Sequence, residues 1–296
     1  MTPDVAHAWL MSHLRQKEVR DFLNRLRLLI LDETHVYDGV FGTNMAYFIR
    51  RLLSVSGVDR IISSTATIGE PAEFIERLTG RKPCVLDQKD DGGASPRKTV
   101  LLLRPYRSNS FDSLVSLLLQ LARIGSSRFL AFADSRKMVE QLVAVAERSA
   151  NKEEESTQED DEIEDNLYEE GTPGISNLRI LPYRAGYEEE DRLEIQNSLM
   201  RGDLAGVVST SALELGLDIG EIDIVLLLAT PPSVKAFWQR LGRAGRKNSG
   251  SCLLVDDSGI IARSAMGLRG YLQKLPEPGW LYLENEYIQP ENCNII

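Results

Sequence analysis

Two groups of charged residues, far apart in the chain, have types and spacings suited to phosphate chemistry. Arg243 and Arg246 are three residues apart, so a tight turn or a continued helix would place both on one face. Two guanidinium groups on one face could stabilise the charge that builds on a γ-phosphate during its transfer. Gln239 precedes Arg243 by four residues and would share that face. A solvated basic helix end is the alternative interpretation.

The second group is the acidic pair Asp32-Glu33, which follows an apolar run from Leu26 to Leu31. That run predicts a buried parallel strand, and open α/β sheets bind ligands beyond the carboxyl ends of such strands. Asp32 suits a magnesium ion that is held partly through water, and Glu33 suits the orientation or deprotonation of an attacking water. His35 could couple this site to a second lobe.

Short polar segments follow two other predicted strands. Ser64-Thr65-Ala66-Thr67 comes after Arg60–Ser63, and the hydroxyls of Thr65 and Thr67 could bridge the acidic site to a facing lobe. Small polar residues are also common in ordinary loops, so this segment carries little weight by itself.

The segment from Thr210 to Asp218 follows a predicted strand at Gly206–Ser209. Thr210 and Ser211 would offer hydroxyl and backbone N–H groups to a nucleic-acid phosphate. Gly216 permits a close approach of the backbone, and Asp218 could accept a hydrogen bond from a ribose hydroxyl. An ordinary strand-to-helix turn with a hydroxyl cap is the alternative.

Alternating strands and helices must position these residues, and this alternation predicts an α/β fold with parallel sheets and right-handed crossovers. Strands are predicted at Leu26–Leu31, Arg60–Ser63, Thr99–Leu103, Phe129–Ala133, Leu178–Leu181, Gly206–Ser209 and Ile224–Leu228. Helices are predicted at Asn44–Leu53, Glu70–Leu78, Asp112–Ile124, Ser135–Arg148, Glu188–Met200 and Val234–Leu241. The part before the Asp-, Gly- and Pro-rich stretch Asp87–Pro96 has too few strands for a complete sheet.

These elements predict four parts: an incomplete first unit at 1–86, a linker at 87–97, a second unit at 98–260, and an extension at 261–296. Composition is that of a globular protein, with 43% hydrophobic and 26% charged residues. No apolar run approaches ~18 residues, so neither a membrane span nor a membrane partner is expected. Three widely spaced cysteines and no secretory signal favour a cytoplasmic location.

An acidic tract at Asn151–Gly171 contains eleven carboxylates and one basic residue, Lys152. It accounts for the whole net charge of -10, so the rest of the chain is balanced and is compatible with a nucleic-acid partner. Dense like charge predicts a disordered insertion into the second unit. The alternative is a nucleic-acid mimic that competes for the protein's own binding groove.

Four strings, in this order, resemble motifs II, III, V and VI of superfamily 2 helicases. They are DETH at 32–35, STAT at 64–67, TSALELGLD at 210–218 and QRLGRAGR at 239–246. Thr2–His7 is similar to motif Ib of the DEAD/DEAH-box DNA helicases of the mitomycin-repair type. The stretches at 37–42, 183–187 and 287–292 are similar to that family as well.

This resemblance implies two RecA-like lobes of the P-loop NTPase fold, ATP and Mg²⁺ as cofactors, and 3′-to-5′ translocation on single-stranded or duplex DNA, with a role in DNA repair or defence. It assigns Asp32, Glu33, Arg243 and Arg246 to catalysis. It assigns nucleotide contacts to Gly216, Asp218 and Gln239, and coupling to His35, Thr65 and Thr67. It assigns nucleic-acid contacts to Thr2, Pro3, Asp4, Thr210 and Ser211.

The chain departs from that family in one respect that bears on catalysis. No Gly-Lys dipeptide occurs in its 296 residues, so it contains no GxxxxGK[ST] phosphate loop. We expect a truncated core that is inactive alone, that lacks the family's cysteine-bearing C-terminal domain, and whose P-loop segment either was lost or comes from a second polypeptide, as in a split gene. A non-catalytic remnant that binds nucleic acid or a partner protein, and an RNA helicase, remain as alternatives.

Overall fold

The computed structural model describes residues 3–65, 68–87, 89–93, 96–105, 110–125, 127–157, 178–183, 186–210, 222–246 and 248–284. The chain divides into two compact units, which consist of residues 1–93 with 275–296 and of residues 94–274. Both are α/β units with parallel strands, as the sequence predicted. Over the described ranges, no helix combines the length and the apolarity that a membrane span requires.

Within its described residues, the first unit contains a two-stranded parallel sheet and four α-helices. The strands are β1 (Leu28–Leu31) and β2 (Arg60–Ser63), and Leu31 pairs with Ser63. The helices are α1 (Pro3–Ser12), α2 (Lys17–Arg25), α3 (Gly39–Val55) and α4 (Pro71–Thr79), and a 3-10 turn spans Thr34–Val36. The sequence analysis did not predict α1 and α2, although Val19, Phe22 and Leu23 of α2 have the i, i+3, i+4 spacing of an amphipathic helix.

The β1–β2 sheet packs on one face only. Leu31 is 6% exposed in the core of the first unit, and Leu29 and Ile61 pack against that core. On the other face, Ile30 and Ile62 pair across the two strands and are 63% and 54% exposed. Parallel sheets are normally covered on both faces, so an apolar face this exposed is unusual for such a sheet.

A return segment, residues 275–284, belongs to the first unit. The backbone N–H of Trp280 donates to Asp38 Oδ1 at 2.6 Å, and that of Tyr282 donates to Thr43 Oγ1 at 2.8 Å. Leu281 is 3% exposed in the same core. The region predicted as one extension at 261–296 is therefore divided, since residues 261–274 belong to the second unit.

In the described part of the second unit, six parallel strands form one sheet with the order β3-β8-β7-β4-β6-β5. The strands are β3 (Lys98–Leu103), β4 (Phe129–Phe132), β5 (Ile180–Tyr183), β6 (Gly206–Ser209), β7 (Ile224–Leu227) and β8 (Gly250–Val255). The helices are α5 (Ser110–Ile124), α6 (Arg136–Thr157), α7 (Glu189–Arg201), α8 (Val234–Leu241), α9 (Ile260–Arg263) and α10 (Gly267–Leu272).

Helices cover both faces of this sheet. Phe129 and Ala131 of β4 pack in a cluster with α5 and α6, whereas Leu130 and Phe132 pack in a second cluster with α7, α8 and α10. All four β4 side chains are therefore buried, which explains why this strand is a continuous apolar run rather than an alternating one.

The start of the acidic tract differs from its prediction. Helix α6 continues through Thr157, so residues 151–157 are helical and not disordered as predicted. Lysine and glutamate are good helix formers, and a helix that is already nucleated extends at little cost. Residues 158–171 lie outside the described part of the chain.

Candidate nucleotide and nucleic-acid sites

Asp32 and Ser64 lie side by side because each directly follows one of two paired parallel strands, β1 and β2. The Ser64 hydroxyl donates to Asp32 Oδ1, and the Glu33 backbone N–H donates to the same oxygen at 2.9 Å. The Ser64 bond, followed by the Glu33 bond, lowers the pKa of Asp32 below its ordinary value. Asp32 is thus an exposed carboxylate, fixed in place and ionised at neutral pH.

Glu33 and His35 lie in the turn that follows Asp32. Glu33 has φ 48° and ψ 45°, a left-handed conformation that is uncommon for a residue with a side chain. The Nδ1 atom of His35 lies 3.3 Å from Glu33 Oε2, and the His35 side chain is only 2% exposed. The imidazole therefore lies beside the carboxylate that was predicted to act on water.

The remaining hydroxyls of this region tie the two strand ends together. The backbone N–H and the Oγ1 of Thr34 both donate to the Ser64 carbonyl at 2.9 Å. Thr65 Oγ1 is buried and has no hydrogen-bond partner among the described residues. The structure thus brings Asp32, Glu33 and His35 together. Thr65 is the residue after Ser64, and Thr67 lies outside the described residues.

This donor set fits a magnesium ion bound mainly by phosphate oxygens and water. Mg²⁺ in phosphate-transfer sites usually takes only one or two protein carboxylates. The described residues contain no group of three or more His, Cys, Asp or Glu side chains that could enclose a metal. Asp32, exposed and ionised, can serve as a single carboxylate ligand, directly or through water.

The arginine pair follows α8 instead of lying on it. Ser233 caps the start of α8 by accepting from the Ala236 N–H at 3.0 Å, and the helix ends at Leu241. The chain then turns, and Gly245 adopts φ 59°. A β-carbon on Gly245 would lie 2.5 Å from the backbone N of Gly250, so only glycine fits this turn without displacement. Of the two predicted geometries, the turn is correct.

Arg243 is half-buried and Arg246 is exposed in this turn, while Gln239 lies on α8 itself. Lys98, a residue that the sequence did not single out, donates its Nζ to the Leu241 carbonyl at 3.3 Å. Burial, and then the nearby charge of Arg246, lower the pKa of Lys98.

Arg240 has a different role within the same run. It is 4% exposed and lies over the Phe132 ring at 5.2 Å. It therefore packs in the core of the second unit, while Arg243 and Arg246 lie nearer the surface.

The arginine turn and Thr210 lie at opposite edges of the six-stranded sheet. Ala244 forms a bridge with Ile222, just before β7, and Gly245 contacts Gly250 at the start of β8. These are amino ends of strands. Thr210 follows the last residue of β6 and so lies at the carboxyl edge. Among the described residues, the arginine turn and Thr210 are therefore separated by the length of a strand.

Several predicted contacts fall where the structure gives no description. Thr2, Ser211, Gly216 and Asp218 lie outside the described residues, as does the Asp4 side chain. Pro3 is the first residue of α1, a position that suits proline because the first helical N–H has no partner within the helix.

Ser64 is the site residue that the sequence analysis missed. The sequence pattern assigns coupling roles to Thr65 and Thr67 of the same string and none to Ser64. The contact of Ser64 with Asp32 depends on the pairing of β1 with β2, which no local pattern specifies.

Comparison with protein families and curated proteins gives a consistent result. Residues 109–248 match the model for the helicase conserved C-terminal domain. The chain is 32% identical over 306 residues to the ATP-dependent helicase YprA of Bacillus subtilis, covering 99% of this chain and 37% of that protein. It is 31% identical to the ATP-dependent helicase HRQ1 of Saccharomyces cerevisiae, covering 86% of this chain and 23% of HRQ1. The chain thus spans under two fifths of each relative.

Solved structures agree with these relatives. The DUF1998 helicase MrfA bound to DNA superimposes with a TM-score of 0.81 at 30% identity, over 99% of this chain and 38% of MrfA. Dbp5 of S. cerevisiae bound to RNA superimposes with a TM-score of 0.61 over 98% of this chain and 68% of that chain, but at 12% identity it shows a shared fold only. The fold of both units is that of RecA-like helicase domains.

Proposed function

Because this chain belongs to superfamily 2 of the helicases, we propose that it forms part of the motor of an ATP-dependent DNA helicase of the DExH type, which acts in the cytoplasm in DNA repair or defence. The arrangement of Asp32 supports this proposal most directly. Its ionised carboxylate is fixed by Ser64 at the carboxyl ends of two paired strands, where such sheets bind ligands.

The residues would divide the chemistry of ATP hydrolysis among them. A nucleotide-bound Mg²⁺ would supply charge neutralisation for the transferred phosphoryl group. Asp32 would hold that ion through water, and Glu33 would orient and deprotonate the attacking water. Arg243 and Arg246 would stabilise the γ-phosphate, with Gln239 beside them, and His35 and Thr65 would couple hydrolysis to movement.

DNA is the favoured nucleic acid over RNA. The DNA-bound MrfA structure is similar at 30% identity, whereas the RNA-bound Dbp5 structure is similar at 12%. In this proposal Thr210 and Ser211 contact DNA phosphates from the second unit. Thr2, Pro3 and Asp4 contact them from the start of α1. Competition between single-stranded DNA and RNA of one sequence tests the choice.

Hydrolysis in this proposal also requires a P-loop from another polypeptide segment. That segment would cover the face of the β1–β2 sheet that carries Leu28, Ile30 and Ile62. These three apolar side chains are 41%, 63% and 54% exposed. A segment with its own parallel strands and helices would bury this face and place its phosphate loop beside Asp32.

The test compares ATP hydrolysis by this chain alone and after addition of a polypeptide that carries a P-loop segment of a related helicase. Alone, the chain should hydrolyse ATP at background, because phosphoryl transfer depends on positioning of the phosphates. The added segment should restore DNA-stimulated hydrolysis.

Substitutions in this chain then test whether its own residues carry out the restored ATP hydrolysis. Glu33→Gln should abolish hydrolysis, while Glu73→Gln, an exposed change on α4, should not. Arg243→Ala should reduce hydrolysis by about 1000-fold, and Arg123→Ala, an exposed change on α5, should have little effect. Strong hydrolysis by the chain alone would refute the need for a P-loop. DNA binding with no restored hydrolysis in any combination would favour a non-catalytic role.

A further inference from the structure

A second pair of arginines lies in the second unit, away from the arginine turn. Arg104 directly follows β3, and Arg263 ends the short helix α9 that comes after β8. Their guanidinium groups meet at Gly259. A β-carbon built on Gly259 would lie 3.6 Å from Arg104 Nη2 and 3.5 Å from Arg263 Nε. Two exposed cations thus share one surface position without taking part in the proposed hydrolysis.

The surroundings fix one arginine and leave the other accessible. Arg263 donates its Nε to the Gly259 carbonyl at 3.1 Å and its Nη2 to the Ser258 carbonyl. No hydrogen bond or ion pair within the described ranges engages Arg104. The two guanidiniums retain donors for a further acceptor, since each carries five N–H groups.

Two acidic residues, Asp256 and Asp257, lie in the same loop and could repel an anion that approaches the arginine pair. Asp256 is fully buried and accepts from the Ala262 N–H at 2.7 Å, so its carboxylate is turned into the protein. Asp257 is exposed and would weaken, but not cancel, the attraction of two arginines for an anion.

The position of the pair indicates which anion it binds. Leu103 and Val255 pair at the ends of β3 and β8, so Arg104 and Arg263 lie at the carboxyl edge of the sheet. Thr210 lies at that edge as well, while the arginine turn lies at the opposite edge. A nucleotide held by Arg243 and Arg246 is therefore not the anion in question.

We infer that Arg104 and Arg263 bind the phosphate backbone of the nucleic acid that reaches Thr210. Four strand spacings separate β3 from β6 in the sheet, about 19 Å at the usual spacing between strands. A strand lying along the edge from Thr210 would therefore place a later phosphate at the arginine pair. Such contacts carry no sequence information, but they fix the path of the strand. This inference rests on the proposed DNA binding.

The test measures binding of this chain to fluorescent single-stranded DNA by anisotropy over a range of salt concentrations. Arg104→Gln should weaken binding at low salt and reduce the slope of log affinity against log salt by about 0.7, the value for one phosphate contact on a single strand. The loss should be the same for unrelated DNA sequences. Arg123→Gln removes an equal charge at the end of α5 and should match the parent.

Two further variants distinguish a specific phosphate contact by the arginine pair from a general effect of net charge on DNA binding. Arg263→Gln should have the same effect as Arg104→Gln, and Asp257→Asn should strengthen binding by removing an exposed negative charge near the pair. If the site binds a nucleic-acid backbone, the parent should bind single-stranded DNA more tightly than it binds tripolyphosphate, because the DNA adds contacts beyond the arginine pair. Tighter binding of tripolyphosphate than of DNA, lost in Arg104→Gln, would assign the site to free polyphosphate and overturn the inference.

The outcomes distinguish this inference from the proposal on which it rests. If the chain binds DNA and Thr210→Val weakens that binding, but Arg104→Gln behaves like Arg123→Gln, only the arginine inference fails. If the parent binds no DNA at any salt concentration, the proposed DNA binding fails as well.

Discussion

Gly245→Ala should destabilise the second unit, because Gly245 lies where the chain turns back from α8 to β8. Its φ of 59° is unfavourable for alanine by roughly 1–2 kcal/mol. The new β-carbon would also lie 2.5 Å from the Gly250 backbone N and 2.7 Å from the Asn248 carbonyl oxygen. Both neighbours are backbone atoms, so relief requires movement of the turn, at about 1–3 kcal/mol. Together these terms predict a loss of about 2–5 kcal/mol.

Urea denaturation followed by far-UV circular dichroism measures this loss, and Gly242→Ala provides the matched control. Gly242 has φ −59°, and its new β-carbon would lie 3.2 Å from the nearest atom, the Trp238 carbonyl oxygen. Alanine is favoured over glycine by about 1 kcal/mol in such helical backbone, so this control should stay within about 1 kcal/mol of the parent. Equal unfolding midpoints for the two variants would refute the reasoning.

Three further predictions concern the first unit and the cysteines. Leu281→Ala should destabilise the first unit by about 2–5 kcal/mol in the same assay, since it empties a buried position, whereas Leu275→Ala, at an 85% exposed position, should not. Ser64→Ala should raise the pKa of Asp32, which NMR titration measures. The stability that the lowered pKa confers is present at neutral pH and is lost as the pH falls through that pKa. The pH-dependent difference in unfolding free energy between variant and parent should therefore vanish in acid. Cys252 is buried and its pKa is raised to about 12, so it should resist iodoacetamide in the folded protein while the exposed Cys84 reacts. Equal alkylation rates for the two cysteines would contradict the packing of β8.

Regular elements could be predicted from the sequence because each depends on a local pattern. The bounds of β2, β6 and α8 match the prediction, and those of β4 and β7 match within one residue. These strands are short apolar runs between turn residues, and α8 begins at a serine cap and ends before a glycine. Strand β8 was not predicted, because its glycine and serine start gave no clear boundary.

Tertiary relations could not be predicted in the same way. Ser64 reaches Asp32 only because β1 pairs with β2, and the sheet order places β3 beside β8 although about 150 residues separate them. Lys98 reaches the end of α8 for the same reason. Candidate residues could be recognised from type and order, but the residues that hold them in place depend on long-range pairing.

The return segment has a consequence for synthesis of the protein on the ribosome. The hydrogen bond between Trp280 and Asp38 joins residues 242 positions apart. At translation rates of about 5–20 residues per second, roughly 10–50 s pass between the synthesis of these two residues. During that interval the nascent first unit exposes the core positions that Leu281 later fills. The second unit is complete at Lys274, before the return segment is made. The C-terminal unit can therefore fold first, against the usual N-to-C order, and nascent-chain pulse proteolysis would detect this.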